Sequence, residues 1–109
     1  MGANLDWIRA AFCDQNYFFT TTGLPKILKR GLSPIDLEEA ICRDAPEIIE
    51  DYPNDDPGPA CLVLGWAALE RPLHVVVGYG ISQDVAIEVV TAYEPEPPEW
   101  YNPRVRRRP

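Results

Sequence analysis

The run Arg71-Pro72-Leu73-His74-Val75-Val76-Val77-Gly78 constrains this chain more than any other stretch. From Leu73 to Val77 it is apolar on both faces of a strand except for one histidine, the only one in the sequence. An alternation that fails to leave a polar face reads as a central strand covered from two sides. The flanking segments Cys61 to Ala68 and Ala86 to Glu94 are also strand-like, and they are joined to it by short links, Leu69 to Pro72 and Gly78 to Asp84. Links of this length favour antiparallel neighbours.

Helical patterns precede these strands. Asn4 is an N-cap candidate, and Leu5, Ile8 and Phe12 recur at helical spacing up to about Asp14. Tyr17 to Thr22 is too β-branched and aromatic to continue a helix and reads as an extended segment or a short edge strand. Gly23 to Arg30 makes a second, short helix ended by Gly31. Ser33-Pro34-Ile35-Asp36 opens a third with a hydroxyl cap, a proline in the first turn and an acid at the third position, and Pro46 closes it. Glu47 to Tyr52 reads as a strand, Pro53 to Pro59 as a turn-rich loop, and Pro95 to Arg108 as an irregular tail anchored by Trp100. The order predicts one α+β domain over 1–109, with a core at about 5–94. Its N-terminal helices pack on one face of a mainly antiparallel four-stranded sheet.

Composition removes several function classes. No apolar run approaches the ~20 residues of a membrane helix and no basic-then-apolar leader opens the chain, so no membrane role and a cytoplasmic location are expected. Cys13, Cys42 and Cys61 are odd in number and widely spaced, which suits buried thiols better than a disulfide framework or a zinc site. The net charge of −7 excludes a uniformly basic nucleic-acid binder. It is unevenly spread: residues 31–60 carry nine carboxylates against Arg43 alone, whereas the tail carries Arg104, Arg106, Arg107 and Arg108.

His74 is the candidate for chemistry, because imidazole exchanges protons near neutral pH. Cleavage of RNA by the neighbouring 2′-hydroxyl needs a base, an acid and cations for phosphate. His74, Tyr93, Arg71 and the terminal arginines are the types that supply these. The competing reading is a hydrogen-bonded core histidine with Tyr93 as packing, and core filling likewise explains Tyr17, Phe18 and Phe19. A loop centred near Ile81 and Ser82 sets His74 opposite Val90 to Ala92. Thr91 and Tyr93 share its face only in one register, and a one-residue slip reverses the outcome. No phosphate-cradling glycine loop, H-E-x-x-H or nucleophile elbow occurs, Asp55 and Asp56 lack calcium-loop spacing, and Glu94 and Glu96 read as an exposed acidic turn.

Four motifs in order, Glu47 to Pro53, Pro57 to Gly65, Arg71 to Val77, and Thr91 to Pro95 with Trp100, resemble the bacterial DUF 4258 family. The likeness extends from about Leu5 to Arg108. It implies a fold similar to RelE-like and other bacterial ribonuclease toxins. It also implies RNA or the ribosome as target, a small zinc-finger antitoxin as partner, no cofactor and no metal. The matching polar positions are Arg71, His74, Thr91, Tyr93 and the terminal arginines. Where many relatives start the second helix with a histidine this chain has Thr22, so a two-histidine mechanism is not implied. An RNA site here has to rest on local basic patches. The alternative is a non-catalytic protein-interaction domain with an acidic surface.

Overall fold

The computed structural model describes residues 2–43, 45–55, 58–80, 87–96 and 100–106, with only the backbone for 100, 101, 105 and 106. Three helices, α1 (Leu5–Cys13), α2 (Gly23–Lys29) and α3 (Pro34–Cys42), pack on a mixed, mostly antiparallel five-stranded sheet. Its strands are β1 (Tyr17–Phe19), β2 (Glu47–Tyr52), β3 (Ala60–Ala67), β4 (Arg71–Gly78) and β5 (Ile87–Tyr93), in the order β1-β5-β4-β3-β2. The expected run 73–77 is indeed the central strand. The fifth strand is the aromatic stretch at Tyr17, which pairs in parallel with β5, Tyr17 opposite Ile87 and Phe19 opposite Val89. A further two-stranded hairpin, β6 (Trp100–Asn102) and β7 (Val105–Arg106), lies where an irregular tail was expected. The anchoring expected of the Trp100 side chain and the loop positions 81–86 fall outside the described residues.

Local chemistry explains the elements. The Asn4 side chain accepts from the Trp7 amide, and Ser33 and Asp36 form a reciprocal capping box with Pro34 at the first helical position. α2 ends in a Schellman motif: the amide of Leu32 donates to the Ile27 carbonyl, that of Gly31 to Leu28, and Gly31 adopts φ +80°. Leu73, Val75 and Val77 of β4 enter one core with Ile8, Phe12, Ile27, Leu37 and Ile41 of the helices. By the pleat, His74 and Val76 point to the other face.

Two contacts fix the helices on this sheet. A Cβ on Gly65 of β3 would stand 2.1 Å from the Ala40 carbonyl oxygen of α3, so only glycine permits that approach. The Arg9 guanidinium donates to the carbonyls of Ile41, Cys42 and Arg43, satisfying the C-terminal end of α3 from α1. Beside it Cys13 and Cys42 form a disulfide with Cα atoms 5.6 Å apart. This corrects the expectation of three buried thiols: Cys13 is exposed and Cys42 half-buried, at the ends of two helices that pack together. Cys61 alone fits it, fully buried, with burial and then the Asp51 charge pushing its thiol up to about 12.

These contacts give a ranking by stability. Gly65→Ala is expected to cost about 2–3 kcal/mol by overpacking, against about 1 kcal/mol for Gly31→Ala, which strains only a left-handed turn. Urea unfolding of both variants checks the order, and equal costs would contradict the close α3–β3 approach.

Candidate functional site

The register between β4 and β5 decides what His74 can meet. Val77 pairs with Val89, but Val76 pairs with Thr91, so Val90 is an extra residue, a β-bulge. Beyond the bulge Val75 pairs with Ala92 and His74 with Tyr93. Without the extra residue His74 would face Ala92, and Tyr93 would point to the helices. With it, Thr91 and Tyr93 share the face of His74 while Ala92 stays in the helix-side core. The expected partner region, Val90 to Ala92, was one residue short for this reason.

The bulge is held from α2. The Thr20 hydroxyl donates to the Val90 carbonyl at 3.4 Å and accepts from the Gly23 amide at 2.9 Å. A Cβ on Gly23 would lie 2.3 Å from that carbonyl oxygen, so the start of α2 is seated directly on the bulge. Thr22, where the family pattern suggested a histidine, is exposed at this helix start.

His74 is fully buried and both ring nitrogens are engaged. Nε2 lies 2.7 Å from the Pro103 carbonyl oxygen, which can only accept, so Nε2 carries the proton and donates. Nδ1 is then the acceptor for the Tyr93 hydroxyl at 3.4 Å, with the two rings edge to face at 5.3 Å. Burying an imidazole without such partners would cost about 1–3 kcal/mol, so the Pro103 carbonyl is part of what allows His74 to sit there.

A row of residues crosses this face: Glu47 opposite Leu64, Leu64 opposite His74, His74 opposite Tyr93. The Pro103–Arg104 turn between β6 and β7 lies over it. Pro103 meets His74, and Arg104 makes a forked contact with Glu47, one N–H donating at 2.9 Å and a second to the same oxygen. That pairing holds the Glu47 carboxyl below its usual 4.5 and raises Arg104 further. The ion pair therefore persists above about pH 4.5 and is lost as pH falls through the lowered value.

At the other end of the row, Arg30 reaches β5 from just beyond α2. One guanidinium nitrogen donates to the Thr91 hydroxyl and the Ala92 carbonyl, both at 2.9 Å, and the group lies 6.0 Å from the Tyr93 ring centre. An open cleft of about 300 Å³ lies here, lined by Arg30, Leu32, Tyr93, Glu94 and Glu96.

His74 and Tyr93 are thus brought together. Arg71 is not directed at them, and pairs with Glu94 at 3.1 Å. Arg104 approaches the row but spends its charge on Glu47. The side chains of Arg106, Arg107 and Arg108 lie outside the described residues. Sequence reasoning missed Arg30, whose only signal was a basic residue beside the helix-ending Gly31. It also missed Glu47, which carried no signal beyond its charge. Among the described residues no group of three His, Cys, Asp or Glu side chains is placed to hold a metal.

Residues 23–94 match the family described as a domain of unknown function, DUF4258. The chain belongs to the DUF4258 family. The matched interval runs from the start of α2 past the end of β5, so it contains the bulge, Arg30, His74 and Tyr93. It is narrower than the span of about 5–108 given to the likeness from the sequence. α1 and β1 lie outside it, yet Ile8, Ala11 and Phe12 complete the core of the DUF4258 sheet. No curated protein and no solved structure matches the chain.

Because His74 is the protein's one histidine, its shielding can be read directly with diethylpyrocarbonate, followed at 240 nm. Slow modification is expected in the native protein. Arg104→Ala and Glu47→Gln, which untie the turn without touching His74, are expected to accelerate it by roughly two- to fivefold, the scale of an exposed ion pair. Equal rates in all three proteins would show that the turn does not depend on that ion pair.

Proposed function

We propose that this DUF4258 domain is a RelE-like, toxin-family endoribonuclease that works without a metal. The observation that carries the reading is the Val90 bulge, which sets Tyr93 and Thr91 beside His74 with the Arg30 cation over the same strand end. An imidazole, a phenol and a guanidinium drawn together here can supply the base, the orienting hydroxyl and the cation for transesterification of RNA.

In this mechanism the Pro103–Arg104 turn withdraws, and exchange with solvent moves the ring proton of His74 from Nε2 to Nδ1, where it is donated to the Tyr93 oxygen and leaves Nε2 with a lone pair. The imidazole takes the proton of a 2′-hydroxyl, whose oxygen attacks the adjacent phosphorus. The 5′-oxygen takes a proton from water and leaves as a hydroxyl, a 2′,3′-cyclic phosphate remains, and the imidazolium gives its proton back to the hydroxide so formed. Tyr93 orients the ribose–phosphate and Arg30 balances the charge gathering on phosphorus. Arg71 and Arg104 join only by exchanging Glu94 and Glu47 for phosphate. RNA, free or on the ribosome, is the proposed substrate, a small zinc-finger antitoxin the proposed partner, and the cytoplasm the proposed setting.

A second reading has its own support. His74 is fully buried with both nitrogens bonded, and Arg71 and Arg104 are neutralised by carboxylates, as in a non-catalytic protein-interaction domain.

Incubation of the purified protein with total RNA and with translating ribosomes, in EDTA, separates them. The nuclease reading predicts cleavage that falls by about 10²–10⁴ in His74→Ala and leaves cyclic-phosphate ends. Tyr93→Phe, which keeps the ring, is expected to fall less. Intact RNA with folded wild-type protein sinks catalysis and favours the interaction domain.

A further inference from the structure

Between Asp14 and Asp36 the sequence contains no carboxylate, while it holds Lys26, Lys29 and Arg30, in a chain whose net charge is −7. This stretch folds as one unit of the surface. It forms β1, which is the outer strand beside β5, and α2, which packs along β5. Gly23 and Ile27 are the buried positions of α2, and Lys26, Lys29 and Arg30 are all exposed. At 100° per residue Arg30, Lys26 and Lys29 step outward round one flank of the helix, with Arg30 nearest the sheet.

The other cations with described side chains, the exposed Arg43 apart, are already committed. Arg9 caps α3, Arg71 pairs with Glu94 and Arg104 with Glu47. Neither Lys26 nor Lys29 is paired with a described carboxylate, and Arg30 donates to neutral oxygens alone. The opposite edge of the sheet is β2, which carries Glu47, Glu50 and Asp51. The two edges therefore differ in sign, and an extended polyanion is drawn to the α2 side and repelled from β2. Arg30 also links the flank to a defined place, since its guanidinium ends at Thr91 and at Tyr93 and lines, with Leu32, Tyr93, Glu94 and Glu96, the cleft of about 300 Å³, Glu94 being paired with Arg71.

We infer that the Lys26–Lys29–Arg30 flank of α2 is the surface on which a single-stranded RNA backbone docks, leading one nucleotide to the cleft beside Tyr93. This rests on the nuclease reading for its purpose but not for its measurement. Three phosphate contacts account for the binding. The C-terminal arginines, singled out from the sequence, are not needed for it.

Binding of a fluorescein-labelled single-stranded RNA of twelve nucleotides to the full chain, followed by anisotropy, tests it. For single strands each phosphate contact adds about −0.7 to the slope of log affinity against log salt, so three predict roughly −2, about a 20-fold loss from 50 to 200 mM. Lys26→Gln with Lys29→Gln, both at exposed positions, is expected to reduce the slope to about −0.7 and to weaken binding at 50 mM at least about tenfold. Arg43→Gln, an exposed cation elsewhere, is expected to change affinity less than twofold, and urea unfolding verifies that the variants are folded. Absence of RNA binding by the wild type, a double variant that binds no worse than Arg43→Gln, or poly-glutamate bound as tightly as RNA would each overturn the inference. RNA bound through α2 but left intact defeats the nuclease reading and keeps the surface. His74-dependent cleavage with binding indifferent to α2 does the reverse.

Discussion

One extra residue in β5 decides which side chains meet His74. A strand alternates its faces with a period of two, so inserting Val90 exchanges the faces of every residue that follows it. Ala92 then fills the core, and Thr91 and Tyr93 emerge on the side of the histidine. An irregularity of this kind persists only if something fixes it, and here it is the seating of α2. Thr20 bonds the Val90 carbonyl, and Gly23 lets the helix start close against it. The position of the helix that carries Arg30 and the face that carries Tyr93 are consequences of one contact.

Burial of the imidazole follows from the same geometry. With Tyr93 on one nitrogen and the Pro103 carbonyl on the other, His74 meets the requirement that a buried polar group be paired. The β6–β7 hairpin that supplies the carbonyl belongs to no strand of the main sheet, and its turn is tied down by the Arg104–Glu47 pair. Exposed ion pairs are weak, on the order of 1 kcal/mol or less, so the closure of this face is an easily shifted balance. With the turn seated, His74 is a core residue with both ring nitrogens bonded.

Much of the architecture could be read from the sequence because it is written in local patterns. The unbroken apolar run of β4, the Ser33-Pro34-Asp36 helix start and the glycine ending α2 each act over a few residues. What escaped is non-local. The parallel pairing of Tyr17 with Ile87 and the meeting of Cys13 with Cys42 depend on how helices settle on the sheet. Tyr93 could be named as a candidate, but its face depended on a bulge, and no glycine or proline in Val89-Val90-Thr91 announces one. Arg71 and Arg104 looked free for phosphate because a charge in a sequence does not show its partner. In the structure each has a carboxylate.

The central claim, that the bulge delivers the Tyr93 hydroxyl to His74 while the β6–β7 turn holds the other nitrogen, is tested most directly by the ¹⁵N shifts of the imidazole. Labelling is unambiguous in a protein with one histidine. The account predicts a neutral ring protonated on Nε2, with an Nδ1 resonance that moves in Tyr93→Phe while Nε2 stays protonated. A ring protonated on Nδ1, or an Nδ1 resonance indifferent to the loss of the Tyr93 hydroxyl, would contradict it.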